Sequence, residues 1–446
     1  MTATDHTAPA ARHRRAARSA GTRITGVTVT PVAFRDLPLL NNVGVHEPYA
    51  LRTVVEVRTE DEHGGEAVTG LGETYGDEGH LERVRRAADA VVGTDVFDLH
   101  GLERAVAASL AGDSGAGGHG MGGQVTTSST LARVVSPFEV AALDARGRLL
   151  GRPVSDLLGG AVRDAVPYSA YLFYKWAGHP GQPEDEWGAA LDPEGLVAQA
   201  RRIVDGFGFG AIKLKGGVLP PEREVEAVLA LREAFPDLPL RLDPNGAWTP
   251  DTSVRVAQAL AGVVEYLEDP TPSIAGMAEV ARRVDVPLAT NMCVVAFEHL
   301  RPAVAADAVQ VVLSDHHFWG GLRRSQDLAR VCEVFGMGLS MHSNSHLGIS
   351  LAAMTHLAAA TPNLDYACDT HWPWKRPEDD VVVPGALEFA DGAVAVPTSP
   401  GLGVELDRDA LGRLHETWRA CGLRRRDDTG YMRTVEPGFT PNTARW

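Results

Sequence analysis

Six polar stations, set at nearly even intervals, constrain this chain more than any other feature. A short apolar run leads into each. GAIKLK ends in Lys213 and Lys215, LRLDPN in Asp243 and Asn245, VEYLED in Glu268 and Asp269, PLATN in Asn291 and VQVVLSD in Asp315, while MGLSMHS carries His342. The steps are 25 residues from Asp243 to Glu268, then 23 to Asn291, 24 to Asp315 and 27 to His342. Each step is the length of one strand–loop–helix–loop unit. YSAYLF before the series, and LDYACDTHW with Asp369 and His371 after it, read as two more strands. The segments between are helix-like. PPEREVEAVLALREAF opens on prolines suited to a first turn and aligns Val225, Val228, Leu231 and Phe235; GLRRSQDLARVCEVFG does the same with Leu328, Val331 and Phe335. Eight strands alternating with helices over about 205 residues predict a parallel barrel rather than an open sheet. Such a barrel carries its active site at the carboxyl ends of its strands, so one polar residue per repeat means one ring around a single mouth.

The rest of the chain reads as attachments. RITGVTVTPVAF, LRTVVEVRT and VTGLGETYGDEG are strand-like, and LERVRRAADAVVG and PFEVAALDARGRLLG are helical. Between these helices, AGDSGAGGHGMGGQ lacks the Gly-Lys-Ser/Thr ending of a phosphate loop and reads as a flexible connection. The first residues are Ala/Arg-rich with no apolar stretch behind them, which argues for a disordered tail over an export signal. The expected division is a tail over 1–22, an α+β cap over 23–160, a barrel over 161–400 and a C-terminal segment over 401–446. A net charge of −16 argues against a general nucleic-acid binder. No run of about 18 apolar residues appears, so no membrane span is expected. Cys293, Cys332, Cys368 and Cys421 are widely spaced without a CxxC pair, which fits a reduced, cytoplasmic setting.

The ring has chemistry. Asp243, Glu268 and Asn291 offer three oxygen ligands from successive strands, a set suited to a hard cation such as Mg²⁺. Lys213 and Lys215 are two apart, so on a strand both face the same way. Two ammonium groups crowded beside a metal should lower a lysine's pKa and make it a usable base. Asp315 precedes His342 by one strand, and a carboxylate on one imidazole nitrogen leaves the other for proton transfer. Singly, each motif has a bland reading: DPNG a turn, KLK a surface strand, HSNSH loop polarity. Their recurrence at the repeat spacing outweighs those readings.

FGAIKLKGGV, LRLDPNGAW, YLEDP, LATNM, LSDHHFWGG, HSNSH, DTHWPW and PGLGVELD resemble the glucarate dehydratase group of the enolase superfamily, over about residues 24 to 440. The resemblance implies an α/β fold, a modified (β/α)7β TIM-like barrel capped by an α+β domain from the N-terminal region and the C-terminal segment. It implies Mg²⁺ on Asp243, Glu268 and Asn291, with Lys215 and His342 as two bases, the latter oriented by Asp315; a metal between a Lys and a His base is the arrangement of enolase-superfamily sites. Lys213 would bind the substrate carboxylate, with Asn245 beside it. Asn41, His46, Tyr171 and Arg426 would be further substrate contacts. Asp315 stands where muconate cycloisomerases carry a lysine, and the His342–Asp315 pair with Lys215 implies racemase-like or dehydratase chemistry on acid sugars, the expected reaction being D-glucarate to 5-keto-4-deoxyglucarate. The alternatives are a dehydratase or epimerase of another acid sugar, and a non-catalytic paralogue. The family's substrate-binding threonine falls near Gln124–Ser129, its ungapped match being Val125, and HSNSHLGIS departs from the family's HSNNHFDIS. A small-molecule acid sugar is thus the expected partner, with neither nucleic acid nor membrane, in a symmetric homo-oligomer.

Overall fold

The computed structural model describes residues 22–60, 67–113, 115 and 126–446. The expected tail apart from Thr22, most of the Gly-rich stretch, and Val125 lie outside these residues.

The β-branched runs near the start form a three-stranded antiparallel sheet, β1 (Ile24–Arg35), β2 (Tyr49–Thr59) and β3 (Val68–Tyr75), in that order. Helices α1 (Glu78–Val91), α2 (Leu99–Ser109) and α3 (Thr127–Leu150) follow. They pack on the sheet around Val55, Val57, Val84, Leu102 and Phe138. A side chain at Gly70 or Gly72 would collide with the Ala141 or Pro137 carbonyl, so glycine lets β3 lie directly on α3. The sequence places the start of α3 at Pro137, but the helix begins ten residues earlier. There Thr126 and Ser129 cap each other's backbone N–H at 3.0 and 2.9 Å. Pro137 loses one helical hydrogen bond, and burial on every side of α3 offsets the loss.

The barrel strands are β4 (Ala165–Phe173), β5 (Ile212–Lys215), β6 (Leu240–Asp243), β7 (Tyr266–Glu268), β8 (Leu288–Thr290), β9 (Val311–Ser314), β10 (Gly338–Met341) and β11 (Cys368–Thr370). Parallel pairing runs β10-β9-β8-β7-β6-β5-β4-β11. Between β10 and β11 the gap is bridged by Asp365 and Tyr366 N–H donating to the Leu339 carbonyl at 3.1 and 3.3 Å, and by Ser340 Oγ on the Ala367 carbonyl. Helices α4 (Pro193–Phe207), α5 (Pro221–Ala234), α6 (Pro250–Ala259), α7 (Ile274–Ala281), α8 (Phe297–Ala305), α9 (Leu322–Phe335) and α10 (Gly348–Ala359) alternate with the strands, which is the (β/α)7β order. The first three open on proline, whose missing N–H costs nothing there. Phe335 departs from the expected stripe. It is the last residue before the left-handed cap at Gly336 and is 56% exposed, so the buried stripe of α9 stops short of the helix end.

After the barrel, α11 (Arg408–Ala420) returns to the cap, where His415 Nδ1 meets the Pro31 carbonyl at 2.7 Å. Next, α12 (Asp428–Arg433) seats under the tight hairpin of Leu40–Asn41 and Gly44–Val45, Thr429 Oγ1 donating to the Val43 carbonyl. The last residues then cross back to the barrel: Asn442 Nδ2 donates to the Gly217 carbonyl, and Ala444 N–H to that of Gly246. They brace the loops that follow β5 and β6.

Candidate active site

Lys213 and Lys215 alternate along β5 and project into one buried pocket with Asp243, which β5–β6 pairing sets opposite Lys215. Lys215 Nζ lies 2.7 Å from Asp243 Oδ2 and 2.9 Å from Asn245 Oδ1. Lys213 Nζ lies 2.6 Å from Glu268 Oε2, 2.7 Å from Asp369 Oδ2 and 3.4 Å from Asp243 Oδ2. Tyr171, opposite Lys213 across the β4–β5 pairing, presents its ring 4.7 Å from the same ammonium. Lys213, expected to bind a carboxylate rather than to act as the base, stays charged. Burial works to lower it, but Asp369 and Glu268 outweigh that and hold it well above the usual lysine range.

Backbone strain collects at these strand ends. Asn245 and Asp269 adopt φ of 56° and 37°, left-handed values rare outside glycine. Asn245 N–H donates to Asp243 Oδ1 at 3.0 Å. Asp269 accepts from Thr290 Oγ1 at 2.5 Å and from the Asn291 and Met292 N–H groups at 2.8 and 3.1 Å. Asn291 is thereby held at the end of β8, its Nδ2 donating to Glu268 Oε1. Glu268 Oε2 touches Lys213 off the hydrogen-bonding direction and has no hydrogen-bond partner. Four buried carboxylates, Asp243, Glu268, Asp269 and Asp369, surround two ammonium groups. Burial, only partly countered by Lys213, raises Glu268, and burial with Asp243 nearby raises Asp269 to about 7. Surplus carboxylate and an unsatisfied carboxylate oxygen in an all-oxygen donor set fit a hard divalent cation.

Across the mouth, Asp315 follows β9 and His342 follows β10. His342 Nδ1 lies 3.1 Å from Asp315 Oδ2, and His317 Nδ1 lies 2.8 Å from Asp315 Oδ1. Burial opposes the charge on Asp315, but the two imidazoles hold its carboxyl well below the usual range. Asp315, His316 and His317 bring three possible ligand atoms within 4.8 Å of one another. Both Asp315 oxygens already face imidazoles, however, and His317 Nε2 faces the Arg52 guanidinium at 3.0 Å. A dication there would meet a fixed positive charge, so the cluster is better suited to orienting protons.

The remaining candidates form one buried network on the cap side. Arg426 bridges Asp428 Oδ1 at 2.8 Å and Asp36 Oδ2 at 3.2 Å. His46 Nδ1 meets the same Asp36 oxygen at 3.1 Å, and Asn41 Nδ2 donates to Asp428 Oδ2 at 3.2 Å. Arg426 is thus no solvated charge, unlike its neighbour Arg425, which is 77% exposed. The network approaches the barrel through His46, edge-on to Phe173 at 5.9 Å, and Phe173 in turn packs against His371 at 5.2 Å. Sequence reasoning missed the two carboxylates that hold this network. It also missed Asn42, which exchanges two hydrogen bonds with Asn245, side chain to side chain at 2.7 Å and amide to carbonyl at 2.8 Å. Asp369 was visible as a strand-end acid, but its pairing with Lys213 depends on barrel closure.

The family model described as Enolase C-terminal domain-like matches residues 195–410. A probable glucarate dehydratase of Streptomyces coelicolor is 55% identical over 435 residues, 95% of this chain and 99% of that protein. An enolase from Thermobispora bispora, crystallised with magnesium and formate, is 62% identical with a TM-score of 0.92, covering 95% of this chain and 100% of its own. An enolase from Mycobacterium smegmatis, crystallised with tartrate, is 65% identical with a TM-score of 0.90, covering 96% of this chain and 99% of its own.

Proposed function

The chain belongs to the enolase superfamily as an acid-sugar dehydratase, a hydro-lyase, and we propose that it dehydrates a six-carbon sugar diacid, D-glucarate foremost, to 5-keto-4-deoxyglucarate at a Mg²⁺ held by Asp243, Glu268 and Asn291. The observation that carries this reading is the placing of two candidate bases around one ring. Lys215 on β5 and His342 after β10 stand three strands apart one way round the barrel and five the other. The proposed ligands on β6, β7 and β8 occupy the longer arc. Tyr171 and Asp369 occupy the shorter one, with Lys213 beside Lys215 on β5. A substrate seated between the bases exposes one face of its α-carbon to each. The 65% identical relative crystallised with tartrate, a hydroxylated diacid, supports the substrate class.

Bound Mg²⁺ would act as a Lewis acid on the substrate carboxylate and acidify the neighbouring C–H. Lys215 or His342, according to the configuration at C5, takes that proton. Lys213, kept charged by Asp369 and Glu268, offsets the negative charge that develops on the carboxylate. When His342 has taken the proton, it returns it from Nε2 to the departing β-hydroxyl while Asp315 holds Nδ1; when Lys215 has taken it, His342 enters as the imidazolium and gives its Nε2 proton instead. One hydrogen and one hydroxyl leave as water, and the enol left behind becomes the ketone. Asn41, His46 and Arg426 grip the distal end of the diacid. Four free cysteines support a reducing, cytoplasmic setting, and the assembly proposed is a symmetric homo-oligomer.

A Mg²⁺-supplemented screen of acid sugars, read by 2-keto acid formation, tests the reading. D-glucarate and its C5 epimer should both react, and His342→Asn should still exchange in D₂O the proton that Lys215 reaches. Dehydration of no hexarate would sink the assignment, and full activity of Lys215→Met on every substrate would remove the two-base mechanism.

A further inference from the structure

A buried line of side chains runs from the cap sheet to one of the two bases. Glu73 of β3 accepts from Arg52 Nε of β2 at 2.8 Å. Arg52 Nη2 lies 3.0 Å from His317 Nε2, His317 Nδ1 lies 2.8 Å from Asp315 Oδ1, and Asp315 Oδ2 lies 3.1 Å from His342 Nδ1. All five residues are buried.

The direction of every bond in this line follows from its fixed donor, Arg52, and its fixed acceptors, the carboxylates. A guanidinium has donors and no acceptor. His317 Nε2 must therefore carry a lone pair, which places the ring hydrogen on Nδ1. That Nδ1–H donates to Asp315 Oδ1, which also accepts the His317 backbone N–H at 2.9 Å. Ser350 Oγ, 3.0 Å from the same Nε2, can reinforce the arrangement only as a donor. With Oδ1 occupied, Oδ2 is left for His342, whose Nδ1–H donates to it. The lone pair of His342 then sits on Nε2, the nitrogen free for the substrate. The same cap carboxylate also holds the loop beyond the base: Glu73 accepts the Leu347 N–H at 2.9 Å and the Ser350 N–H at 2.8 Å at the start of α10.

We propose that His317 is a positioning residue for the base His342, and that Arg52, donated by the cap, sets the tautomer of the pair. The cap thus takes part in proton transfer as well as in gripping the diacid. The mouth already uses Asp315 and His342; the line adds Arg52, Glu73 and His317, none of which needs to touch substrate. The inference rests on the reading of His342 as a base, but the ring tautomers do not.

Two measurements on the full chain decide it. Nitrogen-15 spectra of histidine-labelled protein should show His317 neutral, with hydrogen on Nδ1 and a bare Nε2; hydrogen on Nε2 overturns the proposal. The second is C5 exchange in D₂O with D-glucarate and its C5 epimer in the presence of Mg²⁺. His317→Leu should slow exchange of the proton facing His342 by about 10- to 100-fold, the usual effect of losing a group that orients a functional imidazole. KM should change little, and exchange through Lys215 should persist. His317→Asn keeps an N–H where Nδ1 was and should recover most of the lost rate. An equal loss on both epimers, no loss on either, or no recovery with Asn overturns the positioning role. A wild-type enzyme that exchanges neither epimer would sink the acid-sugar reading, and the tautomers would still decide the positioning claim.

Discussion

Glu139 offers a test of how the cap is pinned to the turn that carries Asp315 and His317. It lies in α3 with its carboxylate on the N-terminus of α9, accepting from Leu322 N–H at 2.9 Å and Arg323 N–H at 3.2 Å. Burial raises its carboxyl from 4.5 to about 7 despite these donors. A carboxyl raised in the folded state binds its proton more tightly there than in the unfolded chain. The associated stability is therefore fully present below about pH 4.5, declines as pH rises, and is lost above about pH 7. A displacement of that size corresponds to about 3 kcal/mol. Glu139→Gln removes the charge and keeps one carbonyl acceptor. The amide's missing second acceptor offsets the variant by a constant amount at every pH, so the slope carries the information. Urea-unfolding free energies of the two proteins, followed by tryptophan fluorescence from pH 4.5 to 8, should diverge by about 3 kcal/mol in favour of the variant. A difference that stays flat across that range, or one that grows in favour of the wild type, would refute the claim that Glu139 is a dry, destabilised carboxylate at the cap–barrel junction.

Asn42→Ala removes both bonds to Asn245 and leaves its amide without the side-chain partner. A loss of about 1–3 kcal/mol in stability is expected, with a fall in kcat/KM because Asn245 holds Lys215; melting and steady-state kinetics check the two effects separately. Addition of Mg²⁺ to chelator-treated protein should raise the melting midpoint, by the equivalent of about 2.7 kcal/mol at a hundred times Kd. Asp243→Asn and Glu268→Gln should abolish that shift, while a shift retained in both variants would place the cation elsewhere.

How far the site was legible follows from the length scale of each signal. A strand alternates every two residues and a strand–helix unit returns every two dozen or so, so Lys213, Lys215 and the five stations from Asp243 to His342 announce themselves within local windows. Asp36, Arg52, Glu73, His317 and Asp428 do not. Each is a lone polar residue with an ordinary local reading, and its partner lies far away: 387 residues separate Asn41 from Asp428, and 265 separate Arg52 from His317. Such pairs exist only after the cap has docked and the C-terminal segment has come back. Local reading fails for related reasons in α3, where Pro137 looks like a beginning because its burial cannot be seen in sequence, and at Phe335, where helical periodicity continues past the packed surface. The division has a functional meaning. The proposed bases and metal ligands sit on the periodic part of the chain, where the barrel fixes them. The groups that aim them, Arg52 through His317 and Asn42 through Asn245, come from the cap. On these proposed roles, exchange of cap residues would alter which sugar enters and which base is aimed, while the ring of Lys215, Asp243, Glu268, Asn291 and His342 stays where the barrel puts it.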